Sequence, residues 1–175
     1  VPFNKRAWHA GESSYKGVTD CNNYSIGIEL EGMDDDIYTD RQYDKLIKVT
    51  QSIIKNYPLI NKDSIIGHSD VSPQRKTDPG EKFPWNELAK IKLSWTHSLD
   101  TKKLVKFRKI KLSSSLEKNF FLSNLRKLGY MRINSSDSKK TYLLVKAFQR
   151  RFRQDLVNGI IDKECLLISK NLLKH

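Results

Sequence analysis

The two halves of this chain differ so much in charge that they predict two folding units. Residues 98–175 contain 19 Lys and Arg against 6 Asp and Glu, a net charge of +13, whereas residues 1–97 contain 13 against 14, a net charge of −1. This asymmetry predicts a domain boundary near residues 94–99 and an anionic partner for the second half. At 175 residues, with 38% hydrophobic side chains, the chain is long enough for one or two domains with cores of their own.

Patterns typical of strands and helices alternate in the first half. Apolar and polar side chains alternate over residues 25–31, which predicts a strand, and residues 63–66 predict a second, short strand. A capping-box pattern at residues 39–42 predicts a helix that ends before Pro58, and residues 84–93 predict another helix. The first helix carries apolar residues at near-helical spacing: Tyr43, Leu46, Ile47, Ile53 and Ile54. We therefore predict an α/β fold with a mixed sheet flanked by helices.

The second half is predicted to be helical. Residues 98–113 form a basic stretch that we interpret as a linker, for which a solvated, extended connection is the simplest form. From residue 114 the apolar residues follow helical spacing, with a capping-box pattern at residues 114–117 and a turn at Asn158-Gly159. Three apolar stripes define three helices: Leu116, Phe120, Leu125 and Leu128; Leu144, Phe148 and Phe152; Leu166, Leu167 and Leu172. Residues 114–175 are therefore predicted to form a small three-helix domain.

The loop over residues 67–80 brings an imidazole, an ammonium and a carboxylate into one segment punctuated by proline. His68 and Asp78 are both acceptable zinc ligands, and a catalytic zinc ion typically takes three protein ligands. Lys76 precedes Asp78 by two residues, so its ammonium could stabilise an oxyanion beside the same cavity. The residues alone leave a structural interpretation open, in which Asp78 caps a turn, Lys76 is solvated and His68 ends a strand.

The predicted strand over residues 25–31 offers a further carboxylate. Glu29 and Glu31 share the face opposite the apolar residues. Gly27, on the same face, would leave room for a ligand or another backbone. On the pattern alone, both carboxylates could also simply point into solvent.

Three segments in this order, residues 1–11, 21–32 and 67–80, closely resemble the zinc-dependent N-acetylmuramoyl-L-alanine amidases of the AmpD and AmiD type. The resemblance covers about residues 1–97. It implies hydrolysis of the amide bond between the lactyl group of N-acetylmuramic acid and L-alanine of peptidoglycan stem peptides, with one catalytic Zn2+ ion. Peptidoglycan or its muropeptide fragments are accordingly the expected partners.

The resemblance also implies a role for each candidate residue. His68 and Asp78 would be zinc ligands. Lys76 would be the cation on the oxyanion side, and Glu29 the carboxylate that handles the proton of the nucleophilic water. Four residues would bind substrate: Trp8, His9, Ala10 and Asn22. A ligand role for His9 is the alternative, since a histidine in an aromatic, Gly-containing turn can serve either purpose.

The remaining zinc histidine of this family lies further upstream, at the end of a strand in an N-terminal part that precedes the segment matching residues 1–11. We therefore expect the third ligand, a histidine, to come from upstream of residue 1. The chain is expected to be a processed or truncated product that lacks the N-terminal part of the fold. A docked N-terminal fragment of the same protein is a possible partner that would supply this ligand.

Residues 125–130, 145–150 and 158–162 resemble the peptidoglycan-binding domain that is appended to many wall hydrolases, including AmiD-type amidases. Such a domain would raise the effective concentration of the enzyme at the wall. It favours the envelope-located branch of the family, so we expect the periplasm or cell envelope of a Gram-negative bacterium, with the cytoplasm as the alternative. No apolar run approaches the roughly 20 residues of a membrane-spanning helix.

Two other classes of protein stay open at this point. A non-catalytic peptidoglycan-recognition protein would keep the groove without the zinc. A basic three-helix unit also occurs in nucleic-acid-binding modules, although we expect no nucleic acid as a partner.

Overall fold

Seven α-helices and one two-stranded hairpin make up the regular structure of residues 1–32 and 36–174, which this computed structural model describes. The hairpin pairs β1 (Ser14–Tyr15) with β2 (Val18–Thr19) in antiparallel register. The helices are α1 (Asp40–Asn56), α2 (His68–Val71), α3 (Trp85–Lys90), α4 (Thr101–Leu104), α5 (Ser115–Lys127), α6 (Ser138–Phe152) and α7 (Lys163–Leu172). The mixed α/β class is confirmed, although the sheet is much smaller than predicted.

Helix α1 begins where the capping box was predicted. Thr39 Oγ1 accepts a hydrogen bond from the Gln42 N–H at 3.3 Å, and Gln42 Oε1 accepts one from the Thr39 N–H at 3.0 Å. This reciprocal pair satisfies two N–H groups that have no partner inside the helix. The helix buries Leu46 in a small core with residues from α3 and its flanks: Phe83, Trp85, Leu88 and Leu93. The first core therefore joins α1 to α3.

Both strands predicted in the first half are wrong. Residues 25–30 belong to no strand, and none of the described residues pairs with them in a ladder. Residues 62–64 form a 3-10 turn, in which the Asn61 side chain accepts a hydrogen bond from the Asp63 N–H at 2.9 Å. Alternating side chains show which residues share a face, but a strand also needs a neighbouring backbone to bond with. The pattern over residues 25–31 contains no information about that neighbour.

The three helices of the second half are confirmed, with one correction to their apolar faces. In α5 the buried hydrophobic residues are Phe121 and Leu125, and Leu128 just after the helix is buried too, while Leu116 is 81% exposed and Phe120 is 48% exposed. The predicted stripe therefore started on the wrong side of the helix, because two adjacent phenylalanines fit the helical period almost equally well. The stripes of α6 and α7 lie in the core as predicted, with Leu167 at its edge.

Residues 98–113 are folded, so the extended form considered for the basic linker is wrong. Helix α4 continues into a 3-10 turn at Val105–Lys109, and Leu104 and Leu112 are buried in the second core. Arg108 Nε donates to the Glu164 carboxylate at 2.6 Å. Five lysines of the segment are nevertheless exposed: Lys102, Lys103, Lys106, Lys109 and Lys111. The segment is basic on its surface and packed on its inner side. The domain boundaries themselves stay a prediction.

The two halves contact each other directly. Gly129, which follows α5, has φ +110°, and a Cβ at this position would lie 2.7 Å from the Tyr15 ring of the hairpin. The Lys16 N–H donates to the Gly129 carbonyl at 2.8 Å, and Gln154 Nε2 donates to the Phe83 carbonyl at 2.7 Å. Glycine is required at residue 129 both for its backbone conformation and for this close approach.

Among the residues described, no helix is long and apolar enough to span a bilayer.

Candidate active site

Two hydrogen bonds hold the turn that carries His68. The Gly67 N–H, just before α2, donates to Asp70 Oδ2 at 2.8 Å. The Ser69 N–H donates to the Asp78 carbonyl at 2.9 Å, which brings the two ends of the loop together. Because N–H groups at the start of a helix lack partners within it, these bonds determine how the turn is oriented. His68 and Asp78, ten residues apart in sequence, become neighbours.

The structure brings His68, Asp78 and Ala10 together. His68 Nδ1 lies 3.0 Å from Asp78 Oδ2, and His68 Nε2 lies 3.0 Å from the Ala10 carbonyl oxygen. The His68 side chain is 18% exposed and that of Asp78 is 44% exposed. Both polar ends of the imidazole therefore have a partner, and the Asp78 carboxylate is open to solvent and to ligands.

These two contacts restrict where the His68 hydrogens can lie. The Ala10 carbonyl can only accept, so a hydrogen bond at this contact requires a hydrogen on Nε2. A neutral ring would then direct the Nδ1 lone pair at Asp78 Oδ2, which would put two acceptors 3.0 Å apart. The contact becomes favourable with a positive charge between them, either a second proton on the imidazole or a metal ion. A histidine that donates its other N–H to a backbone carbonyl is typical of metal sites, so His68 and Asp78 fit a zinc ion.

The surroundings of Asp78 favour its ionised form. The hydrogen bond with His68 lowers the pKa of the Asp78 carboxyl, its partial burial acts in the opposite direction, and the charges of His68 and Lys76 lower the pKa further. Lys76 is half-buried in the same loop, and its N–H donates to the Ser72 carbonyl at 3.0 Å. An ionised carboxylate is the form that binds a metal ion.

Asn22 supports the backbone that His68 contacts. Its Oδ1 accepts hydrogen bonds from the His9 N–H at 2.9 Å and from the Ala10 N–H at 2.8 Å. Arg75 Nη2 donates to the Ala10 carbonyl at 2.8 Å, beside the bond from His68. Arg75 was not identified from the sequence, where its place in the His68 loop was the one available signal. Ala10 and Asn22 are both buried, and their role in substrate binding stays a prediction.

His9 packs beside Gly27. Its Nε2 lies 2.8 Å from Ser25 Oγ, and a Cβ at Gly27 would lie 2.6 Å from the His9 ring. The space at Gly27 is therefore filled by the His9 side chain rather than by the ligand or backbone that was predicted there. In residues 1–32 and 36–174 no three His, Cys, Asp or Glu side chains are grouped closely enough to hold a metal ion. His9 thus does not complete a metal site with His68 and Asp78.

Glu29 and Trp8 lie at the surface. Glu29 is exposed on the segment without regular secondary structure that follows the Cys21–Asn23 turn. Trp8 is 80% exposed, and the guanidinium carbon of Arg6 lies 4.1 Å from its ring centroid. Both side chains are accessible to a ligand, and their roles in proton transfer and substrate binding stay predictions.

Comparison with known proteins connects this chain to an enzyme family. The sequence profile of the N-acetylmuramoyl-L-alanine amidase family matches residues 1–81. The 1,6-anhydro-N-acetylmuramyl-L-alanine amidase AmpD of Enterobacter cloacae is 62% identical over 88 residues, which are 50% of this chain and 46% of that protein. The chain thus spans about half the length of the AmpD relatives it matches.

Two comparisons extend over both halves of the chain. The N-acetylmuramoyl-L-alanine amidase AmiD of Escherichia coli strain K12 is 32% identical over 184 residues, covering 99% of this chain and 66% of that protein. The structure of AmiD from E. coli in complex with the substrate anhydro-N-acetylmuramic acid-L-Ala-D-gamma-Glu-L-Lys superposes with a TM-score of 0.85, at 31% identity, over 99% of this chain and 70% of that chain. The similarity to AmiD therefore includes the helical second half.

Proposed function

Because the chain belongs to the N-acetylmuramoyl-L-alanine amidase family, we propose that it hydrolyses the amide bond between the lactyl group of N-acetylmuramic acid and L-alanine in peptidoglycan or muropeptides. The 3.0 Å contact between His68 Nδ1 and Asp78 Oδ2 carries this proposal, since it brings together a nitrogen and an oxygen atom that would coordinate a hydrolytic zinc ion. The muropeptide bound to E. coli AmiD supports the substrate class.

We assign Zn2+ as the cofactor, with His68 and Asp78 as two of its protein ligands. When bound, zinc lowers the pKa of water towards about 7 and polarises a carbonyl group. With the Nε2 hydrogen donated to the Ala10 carbonyl, His68 would hold the ion through its Nδ1 lone pair. Within residues 1–32 and 36–174 these are the two candidate ligands that lie together, whereas a catalytic zinc ion typically takes three.

Glu29 and Lys76 would carry the proton and charge steps. The exposed Glu29 carboxylate would accept the proton of the attacking water and pass it to the leaving amine. The Lys76 ammonium, whose charge acts on Asp78, would stabilise the negative charge that develops on the carbonyl oxygen. The substrate would contact the remaining candidates: Trp8, His9, Ala10 and Asn22.

The second half would act as a wall-binding domain. Its net charge of +13 suits the carboxylates of wall peptides, and a tethered binder gains avidity without new chemistry. This role favours a location in the bacterial periplasm or cell envelope. Cosedimentation of the full-length protein with purified sacculi tests the role. A salt-dependent gel shift with DNA, without binding to sacculi, would instead indicate a nucleic-acid-binding module.

The amidase proposal is tested with the full-length protein and an anhydromuropeptide. Mass spectrometry measures the released stem peptide, and atomic emission measures the bound metal. We expect one zinc ion per chain and release of the stem peptide, and His68→Ala should abolish both. Lys76→Met should lower the rate of release by about 10²- to 10³-fold, as for other removed oxyanion contacts, while zinc content stays unchanged.

The exposed Lys82 provides a matched control for Lys76. Lys82→Met removes one lysine charge from the same half of the chain and should leave both release and zinc content unchanged. Full turnover in His68→Ala would reject the assigned site. A protein that binds the muropeptide but releases no peptide at any zinc concentration would instead be a non-catalytic peptidoglycan-recognition protein.

A further inference from the structure

A buried tyrosine of the second half reaches the turn that carries His68. Tyr130 Oη donates to Asp70 Oδ1 at 2.7 Å, and both residues are buried, at 5% and 3% exposure. The other carboxylate oxygen of Asp70 accepts the N–H of Gly67, the residue before His68. One carboxylate therefore connects Tyr130 to the start of α2.

A side chain of α6 also contacts the backbone just before this turn. Arg151 Nη2 donates to the Ile65 carbonyl at 2.6 Å. The guanidinium carbon lies 3.4 Å from the Trp85 ring centroid, and Arg151 is 4% exposed. The charges of Arg151 and Asp70 also attract each other across the boundary between the two halves. Residues 65–70 are thus contacted by the second half at both ends.

The Tyr130 hydroxyl can serve only as a donor in this contact. Burial raises the pKa of Tyr130 well above its ordinary value, and the charge and hydrogen bond of Asp70 raise it further, so the hydroxyl keeps its hydrogen. A buried carboxylate that loses a hydrogen-bond partner is strongly destabilised, so it would move to find another. The position of Asp70, and with it the Gly67 N–H, therefore depends on Tyr130.

We infer that Tyr130 is a positioning residue for His68, acting through Asp70 and the Gly67 turn to hold the imidazole opposite Asp78. The inference rests on the proposed function, because it assigns the second half a part in the metal site. On this account the helical domain supports the active site in addition to any binding to the wall. Tyr130 itself contacts no reacting atom.

The test compares Tyr130→Phe with a second contact between the halves that avoids the His68 turn. Gln154 Nε2 donates to the Glu81 and Phe83 carbonyls, at 2.8 and 2.7 Å. Gln154→Met removes those bonds and weakens the contact between the two halves away from residues 67–70. It therefore measures the effect of a weaker contact between the halves alone. Both variants are prepared in the full-length protein.

The first readout is metal binding, measured by chelator competition with zinc and by the visible spectrum of the cobalt-substituted protein. Loss of an outer partner of a metal ligand costs about 10- to 100-fold in affinity. Tyr130 acts through Asp70 and the Gly67 N–H rather than on the His68 ring itself, so Tyr130→Phe should weaken zinc binding by a smaller factor, about three- to tenfold. It should also change the cobalt spectrum and lower kcat with little change in KM. Gln154→Met should match the wild type in affinity, spectrum and KM, even with a lower Tm.

The second readout needs no metal. Hydrogen exchange at the amides of residues 67–70 should be about tenfold faster in Tyr130→Phe, while the amides of α6 are unchanged. If Tyr130→Phe folds poorly, Asp70→Asn tests the same connection at its other end: it keeps an acceptor for Tyr130, replaces the oxygen that accepts the Gly67 N–H by an amide group, and should give the same acceleration.

The inference is overturned if Tyr130→Phe matches the wild type in exchange at residues 67–70, or if Gln154→Met changes exchange and zinc affinity equally. A wild-type protein that binds no zinc and releases no peptide would refute the proposed function instead. The exchange rates would still decide whether Tyr130 positions the turn.

Discussion

The two halves of the molecule are stabilised in different ways. In the described residues, the second half has one core of 15 buried hydrophobic residues, whereas the first half has two separate clusters of five and three. The candidate site lies in the half with the smaller cores. Its geometry depends on polar contacts to backbone groups, such as those of Asn22 and Asp70. In this chain the proposed chemistry and the densest packing occupy different regions.

The first prediction separates activity from stability. Glu29 is exposed, so Glu29→Gln should change the free energy of unfolding by no more than about 0.5 kcal/mol. If Glu29 handles the proton, the rate of stem-peptide release should fall by about 10²- to 10⁴-fold. Urea unfolding and a release assay on the same preparation measure the two effects.

Glu31→Gln is the matched control, because Glu31 is exposed two residues further along the same segment. Glu31→Gln should retain the wild-type rate. A reversed result, with Glu31→Gln inactive and Glu29→Gln active, would show that Glu31 rather than Glu29 handles the proton.

The second prediction compares the two cores through the same substitution. Leu144 in α6 is 1% exposed, and Leu46 in α1 is 8% exposed. Leu144→Ala should lower the free energy of unfolding by about 3–5 kcal/mol, and Leu46→Ala by about 2–3 kcal/mol, because a denser core leaves a larger unfilled cavity. Denaturant unfolding followed by circular dichroism measures both. As a control, Leu144→Met conserves volume and should lower the free energy of unfolding by less than about 1.5 kcal/mol. Equal losses of free energy in the two alanine variants would contradict the difference between the cores.

The third prediction uses one thiol in each half. Cys21 and Cys165 are both free and buried, at 3% and 0% exposure. Burial raises the pKa of the Cys165 thiol to about 12, so the reactive thiolate forms only above ordinary pH. In native protein at pH 8, Cys21 should react with a disulfide reagent at least about tenfold faster than Cys165, because its half opens locally at lower cost. Single variants Cys21→Ser and Cys165→Ser identify each phase, and faster labelling of Cys165 would contradict the comparison.

The smallest expected effect concerns the caps of α1 and α5. Thr39→Ala removes a reciprocal capping box, whereas Ser114→Ala removes a single bond from the Leu116 N–H at 3.2 Å. We expect a loss of about 1 kcal/mol for Thr39→Ala and a smaller loss for Ser114→Ala. Thermal unfolding measures both, and Thr39→Ser should restore the stability of α1. A larger loss at Ser114 would show that α5 depends on its cap more than on its packing.

Local patterns predicted some elements correctly and others wrongly. The capping box at Thr39 and the apolar stripe of α6 were confirmed, because each depends on residues within a turn or two of one another. The strand over residues 25–31 was wrong because strand formation depends on a distant partner. In α5 the period did not distinguish Phe120 from Phe121, and contacts with the other helices selected Phe121.

For the site, the sequence identified the segment that contains His68 and Asp78 and the family it resembles, since both are properties of short, ordered motifs. The tertiary structure decided which groups face those side chains. Ala10 is 58 residues from His68, and Tyr130 is 60 residues from Asp70. Contacts over such separations arise from how the packed halves meet, and no spacing or period in a single sequence encodes them, because a hydrogen bond needs two groups at one point in space rather than at one interval along the chain.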